Sequence, residues 1–402
     1  MEHHRGRRKT RQPAWASLWE ITKVSARLGL TSFGGPVAHL GYFRNEYVER
    51  RQWLDDRSYA DLVALCQFLP GPASSQVGIG IGLMRGGWTG AVAAWLGFTL
   101  PSVLLMILFA YAVEGLGWAD TGWVHGLKIA AVAVVAQAVL GMGRSLAPDR
   151  GRIAILFGAA ITSLLWPSAW TQLLLLAAAG GLGWVLYRQN NGEPGPFSRV
   201  PISRSAGAVS LAVFGLLLVL LPVLRSLLAW DTLALFDSFY RSGSLVFGGG
   251  HVVLPLLERE VVPAGWITQE QFIAGYGAAQ AVPGPLFTFA AYLGTVANGW
   301  WGAIVATLAI FLPAFLLVIG VMPYWERIRR HAAARGMLAA VNAAVVGILL
   351  AALYNPVWTS SIHTSADFSL ALASFALLVY GKLPPWMVVA FAALAGLGLS
   401  LL

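Results

Sequence analysis

Charge is what this chain of 402 residues has least of: only 11% of them are Asp, Glu, Lys or Arg, against 57% that are hydrophobic. A water-soluble domain of this size needs more polar side chain than that to cover its surface. Cysteine is nearly absent too. Cys66 stands alone, which excludes an intramolecular disulfide, and no Cys/His set has metal-ligand spacing, so no metal or other cofactor is expected. No GxxxxGK[ST] loop is present, which removes ATP as a direct energy source. No His/Asp/Glu or Ser/Lys constellation recurs with catalytic spacing, so an enzyme is not expected. Acidic residues are outnumbered 27 to 18 by Lys and Arg, for a net charge of +9. That excess lies at the ends of apolar runs and in short loops. Membrane orientation and lipid headgroups account for it there, and no nucleic-acid partner is expected.

What the chain does have is long uncharged runs, at 86–113, 153–187, 205–224, 271–325, 336–366 and 383–402. A helix needs about 20 apolar residues to cross the hydrocarbon, so the expected fold is an all-α, polytopic membrane helix bundle. The N-terminal stretch is basic but holds no continuous apolar core before Lys23 and Arg27, unlike a cleavable signal peptide. It reads as a basic cytoplasmic tail, residues 1–15, running into an interfacial amphipathic helix that carries Trp15, Leu18, Trp19 and Ile21 on its apolar side.

The sequence also repeats itself about 213 residues downstream. Arg27, Gly29 and the Phe33-Gly34-Gly35 triplet fall on Arg241, Gly243 and Phe247-Gly248-Gly249. Glu46 falls on Glu260, Gln67 on Gln280, and Pro70-Gly71-Pro72 on Pro283-Gly284-Pro285; Gly82, Gly87 and Pro101 fall on Gly294, Gly299 and Pro313. The loop after the first copy's glycines carries Arg44, Arg50, Arg51 and Arg57, whereas the second copy's has Arg259 among Glu258, Glu260 and Glu270. By the positive-inside rule these loops face opposite sides, so the expectation is a pair of inverted-topology repeats. The first repeat would span 16–187 and the second 231–402, joined by a cytoplasmic linker at 188–204 and a linking transmembrane helix at 205–230. The N-terminus would then lie inside and the C-terminus outside, with about nine to thirteen crossings.

Proline lacks a backbone donor and disfavours helix in the residue before it, so each Pro-Gly-Pro should end a helix. Non-helical backbone at membrane depth persists only when it is buried in protein or lines a wet cavity. After the breaks, Ser74 and Ser75 in one copy and Thr288 in the other would open new half-helices whose free amides suit an anion. The backbone of Gly71 and Gly284, and of the glycine turns Gly34-Gly35 and Gly248-Gly249 with His251, adds candidate binding groups. Arg27 and Arg241 are candidate partners for a divalent oxyanion, although Arg27 reads equally as a headgroup anchor. Gln67 and Gln280 are placed either to donate amide bonds to the anion or to satisfy carbonyls freed by the break. Glu46 and Glu260, the matched carboxylates, are candidates for coupling or gating, or for loop salt bridges.

FGGP, the charged loop and CQFLPGP, then FGGGH and AQAVPGP, with VNAAVVGILLAALYNPVW at 341–358, resemble the chromate ion transporter family in its long, two-domain form. The similarity runs from about residue 16 to 400. It implies a bacterial inner-membrane secondary transporter that exports chromate, coupled to protons or exchange and conferring chromate resistance. Membrane lipids and a homodimer are among the partners it suggests. Position by position, Phe33 to Pro36, Gln67 and Pro70 to Pro72 match the first motif set, and Phe247 to His251 with Pro283 to Pro285 match the second. The resemblance leaves the anion open, since sulfate has chromate's charge and shape, and an anion channel is the alternative from another class.

Overall fold

The computed structural model describes residues 14–32, 35–115, 122–166, 169–187, 202–228, 230–247, 250–328 and 331–400. Phe33, Gly34, Gly248 and Gly249, the tail before Ala14 and most of the 188–204 linker lie outside them. The described residues form helices and short turns without strands. Helix is the form in which a single segment satisfies its own backbone in hydrocarbon.

The first half runs α1 (Ala14–Thr31), α2 (Gly35–Phe43) with a π-helical continuation (Arg44–Arg50), α3 (Asp56–Phe68), α4 (Ala73–Gly115), α5 (Gly122–Leu146), α6 (Arg150–Leu165) and α7 (Ala169–Leu186). After α8 (Arg204–Leu227) come α9 (Asp231–Leu245), α10 (Val253–Val261), α11 (Gln269–Ala281), α12 (Phe289–Val321), the one-turn α13 (Trp325–Ile328), α14 (Ala332–Ala352), α15 (Ser365–Val379) and α16 (Pro385–Leu399).

The two longest helices double back on themselves. Gly87 in α4 takes φ +63° and Gly299 in α12 takes φ +54°, values that interrupt a helix and that glycine alone adopts without strain. A Cβ on Gly82 would strike the carbonyl of Gly90, and one on Gly294 the carbonyl of Gly302. A straight helix holds residues eight apart about 12 Å from each other, so both chains reverse between the contacting glycines. Trp88 and Trp300 stand exposed beside the reversals, as amphipathic rings do at a headgroup boundary. The arm at 73–86 rises about 21 Å at 1.5 Å per residue, short of a hydrocarbon layer of about 30 Å. The second arms are long enough to cross. They lie side by side and antiparallel, with Trp95 packed on Phe311 and Phe315 at 5.6 Å, and Tyr111 beside Trp300 at 6.0 Å.

Close packing exchanges elements between the halves: α5 lies on α15 and α16, and α14 lies on α6 and α7. Glycine lets these backbones touch. Gly126 abuts the Ala392 carbonyl and Gly347 the Leu156 carbonyl, so a methyl at either would overlap backbone. Lipid supplies no hydrophobic drive between helices, and close contact of small residues is what holds them together. Five stretches among the described residues are long and apolar enough to cross a membrane: 73–113, 122–146, 204–227, 286–324 and 332–358.

In an inverted-repeat arrangement, the turns that follow the α2 continuation and α10 open on opposite sides. Single cysteines at the exposed Gln52 and Ala264, in a Cys66→Ser background, should react with an impermeant maleimide from opposite faces of sealed vesicles. Reaction from one face would sink the inverted arrangement.

Candidate functional site

Two interruptions define the centre of the molecule. α3 stops at Phe68 and α11 at Ala281; the next residues, Leu69 and Val282, are extended, and helix resumes only at Ala73 and, through a 3-10 turn, at Phe289. Within the gaps Gly71 has φ +116° and Gly284 φ +98°. Those left-handed values turn each glycine N–H away from its own helix. The Gly71 N–H donates to the Val246 carbonyl at 2.7 Å, and the Gly284 N–H donates to the Ser32 carbonyl at 2.9 Å. Ser32 and Val246 immediately precede the two glycine-rich motifs in sequence, so each Pro-Gly-Pro is tied to the residue that leads into the other half's motif. The turns therefore converge on one place: the Cβ position of Gly35, at φ +76°, lies 3.9 Å from His251 Nε2.

The freed carbonyls are served by nearby side chains. Gln76 Nε2 donates to the Pro70 carbonyl at 2.8 Å, Thr288 Oγ1 to the Pro285 carbonyl at 2.8 Å, and Ser102 Oγ to the Pro283 carbonyl. Among the described residues, a second set of polar atoms is buried there without partners: Ser32 Oγ, Ser75 Oγ, Gln76 Oε1 and Gln280 Nε2. His39 Nδ1 is 3.3 Å from Ser74 Oγ, its ring also bonds the Ser32 backbone, and His251 Nδ1 is 2.7 Å from the Tyr276 hydroxyl. An unmet buried polar group costs about 1–3 kcal/mol, so a cluster of them marks a place shaped for a polar guest. The first amides of α4 have no intrahelical acceptor and sit at its positive dipole end, which suits an anion.

The centre thus gathers Gly35, Gly71, Ser74, Ser75, His251, Gly284 and Thr288, with Gln280 partly buried beside Pro283. Gly34, Gly248 and Gly249 lie outside the described residues. Gln67 does not join the others, because its side chain is exposed on α3. The arginines do not meet either. Arg27 is exposed on α1, whereas Arg241 is enclosed by carboxylates: its guanidinium lies 2.7 Å from both Glu260 oxygens and 3.0–3.1 Å from those of Asp237. Arg225 completes this cluster, 3.2 Å from Asp237 and 2.9 Å from Ser238. Asp237 lies one helical turn before Arg241, a spacing at which opposite charges pair and which marked it in the sequence. No comparable signal marked His39, Ser32 or Ser102.

Glu46 sits in the corresponding cluster of the first half. Arg51 bonds it at 2.6 Å and Arg50 at 3.2 Å; Arg51 and Arg85 both reach Glu20, and both guanidiniums lie over the Trp53 ring. Burial alone would raise the Glu46 carboxyl, but the bonds and charges of Arg51 and Arg50 outweigh it and hold the group below the usual carboxylate range. A depressed pKa stabilises the fold above the unfolded value, and that contribution disappears as pH falls through the folded one. The clamp should therefore stay closed at pH 5 and loosen only below about pH 4.3, the ordinary Glu value. Hydrogen exchange of residues 44–51, corrected for intrinsic rate, would reveal it; opening between pH 6 and 5 would contradict the assignment.

Removing one partner of a buried ion pair costs about 3–5 kcal/mol. Arg241→Ala, which leaves the buried Asp237 with Arg225 as its one remaining described arginine and removes both bonds to Glu260, should lower the melting temperature and folded yield, while Arg27→Ala leaves both near wild type. Equal melting temperatures for the two variants would show that the Asp237–Arg241–Glu260 cluster carries no structural load.

Comparison with known proteins identifies the family. The Chromate transporter family model matches the chain twice, over residues 19–184 and 233–397, one match in each half. A chromate transport protein of Pseudomonas aeruginosa is 30% identical over 326 residues, covering 80% of this chain and 77% of that protein. One from Cupriavidus metallidurans is 29% identical over 392 residues, 95% of this chain and 93% of its own. An uncharacterized transporter of Methanocaldococcus jannaschii is 25% identical over 334 residues, 81% of each chain. No solved structure matches. With both halves matched by the family model and relatives aligned along 77–93% of their own length, this multi-pass helical membrane protein belongs to the chromate transporter family.

Proposed function

We propose that the chain is a secondary active exporter of chromate in a bacterial inner membrane, driven by the proton gradient or by exchange, and that the four convergent turns hold the anion. The observation that carries this reading is the reciprocal pair of bonds from Gly71 to Val246 and from Gly284 to Ser32. They draw the first turn of α4, with Ser74 and Ser75, to the same place as the glycine turn at His251. Antiparallel second arms and the arginine asymmetry of the loops support two inverted repeats, 16–187 and 231–402, with re-entrant first arms. The N-terminus is then cytoplasmic and the C-terminus periplasmic.

The charge at the centre comes from the dipole of α4 and from neutral donors, with His39 as the titratable group beside Ser74. Arg241, Glu260 and Glu46 act at a distance. Their clusters pin the outer ends of the hairpins, and opening one cluster while the other stays closed is the form of gating that the arrangement supports.

Labelled chromate should accumulate against its gradient in proteoliposomes with an imposed pH difference, with sulfate run in parallel. Flux that only runs downhill would make the protein a channel, and accumulation of sulfate alone would change the substrate. Pro70→Ala with Pro72→Ala favours continuous helix by about 3 kcal/mol per proline. Transport by that variant should fall severalfold or more while its amount in the membrane holds, and undiminished transport would assign the break to scaffolding.

A further inference from the structure

Away from the four turns, between α6, α7, α10 and the end of α14, lies a cavity of about 210 Å³. Its wall combines Ser163, Gln172, Glu258 and Arg259. A smaller cavity shares Gln172 and Arg259 with it and extends past Arg241 to Leu245, the neighbour of Val246. The pair thus marks a route from the extramembrane turn after α10 toward the centre. Two of the wall residues carry unmet polar groups. Gln172 is 2% exposed and Ser163 3% exposed, yet Gln172 Nε2 and Ser163 Oγ have no partner among the described residues. Glu258 on the same wall is half-buried, with its backbone carbonyl bonded to the Val262 N–H and its carboxylate under the charge of the neighbouring Arg259.

We propose that this vestibule binds a singly protonated tetrahedral oxyanion and discriminates against fully ionised ones; the inference rests on the oxyanion-transport reading above. Gln172 Nε2, Ser163 Oγ and the Arg259 guanidinium donate to three of the oxygens, and the Glu258 carboxylate, an acceptor only, takes the O–H of the fourth. A dianion such as sulfate has no hydrogen to offer and would set an oxygen against that carboxylate. A buried polar group left facing a ligand that cannot satisfy it is a strong source of rejection, stronger than a misfit of size. Chromate takes up a proton in weakly acidic water, whereas sulfate does not, so Glu258 separates two anions that share a shape. The charged group that acts on Glu258 in this cavity is the neighbouring Arg259; Arg241 and Glu260 line the smaller cavity, which Arg259 shares. From α6, α7 and α14 the cavity receives no charged side chain.

Equilibrium dialysis of labelled chromate against the purified full-length protein in detergent tests this at pH 6 and pH 8. Sulfate serves as one competitor and phosphate, which keeps a proton across that range, as the other. Wild type should bind severalfold more tightly at pH 6 and be displaced by phosphate far better than by sulfate. Glu258→Gln is nearly isosteric, removes the charge and adds an amide donor that a fully ionised oxygen can accept, so the pH dependence should flatten and sulfate should compete within about tenfold of chromate. Gln172→Leu should weaken chromate by about tenfold at both pH values, the loss of one hydrogen bond to a charged group. Should Gln172→Leu fail to fold, Glu258→Gln decides alone. Wild-type pH dependence and sulfate rejection in Glu258→Gln would overturn the vestibule assignment and leave the transport reading standing; a wild-type protein that moves no oxyanion in proteoliposomes would overturn both.

Discussion

An interrupted helix inside a membrane leaves amides and carbonyls that no water reaches, and the whole architecture follows from how those groups are met. Each Pro-Gly-Pro gap exports one amide to the opposite half, Gly71 to Val246 and Gly284 to Ser32. Neither half pairs its own glycine amide. The two halves are therefore bound at their weakest points, and the price of pulling them apart is four unpaired groups, two amides and two carbonyls, in a medium that cannot solvate them. Carbonyl partners differ between the gaps: Gln76 serves Pro70 from within its own helix, while Ser102 reaches Pro283 from across the interface. That inequality makes the two sides of the centre chemically distinct, although their backbones turn alike.

Glycine enables the second constraint. Gly29 meets the Phe98 carbonyl and Gly243 meets the Ile310 carbonyl, so α1 and α9 each lie in direct backbone contact with a long second arm. Dispersion at such short range compensates for the missing hydrophobic drive between helices in lipid. Rigid contact of this kind also transmits displacement. A hairpin that tilts must carry its neighbouring arm, and the turns at the centre move with it.

The ion clusters set where that motion is restrained. Glu20, Glu46, Arg50, Arg51 and Arg85 tie α1, the continuation of α2 and the first arm of α4 together, and Arg225, Asp237, Arg241 and Glu260 tie α8, α9 and α10. Carboxylates in both clusters are buried, so their arginines are committed to them and are not free to neutralise a guest. A site that receives its positive character from helix dipoles and neutral donors binds an anion without a fixed counter-charge. Release is easier from such a site, which is what a transporter requires of its substrate site.

Much of this was legible along the chain. Uncharged runs specify membrane helices because hydrocarbon admits little else, and the motif spacing that resembles chromate transporters is matched by a family model in both halves. The residue types at the centre were legible too, since proline and glycine dictate backbone locally: Gly71, Gly284 and Gly35 take the left-handed values that only glycine holds cheaply. Side-chain direction was not. Arg27 and Arg241 occupy the same register, yet one is exposed and the other enclosed, because Asp237 and Glu260 approach only Arg241. His39, unmatched in the second half, reaches Ser74 through a fold-back that no local spacing announces. Local sequence determined where helices run and where they stop; only tertiary packing decided which donors meet at the breaks, because those bonds join residues that the chain separates by more than 170 positions.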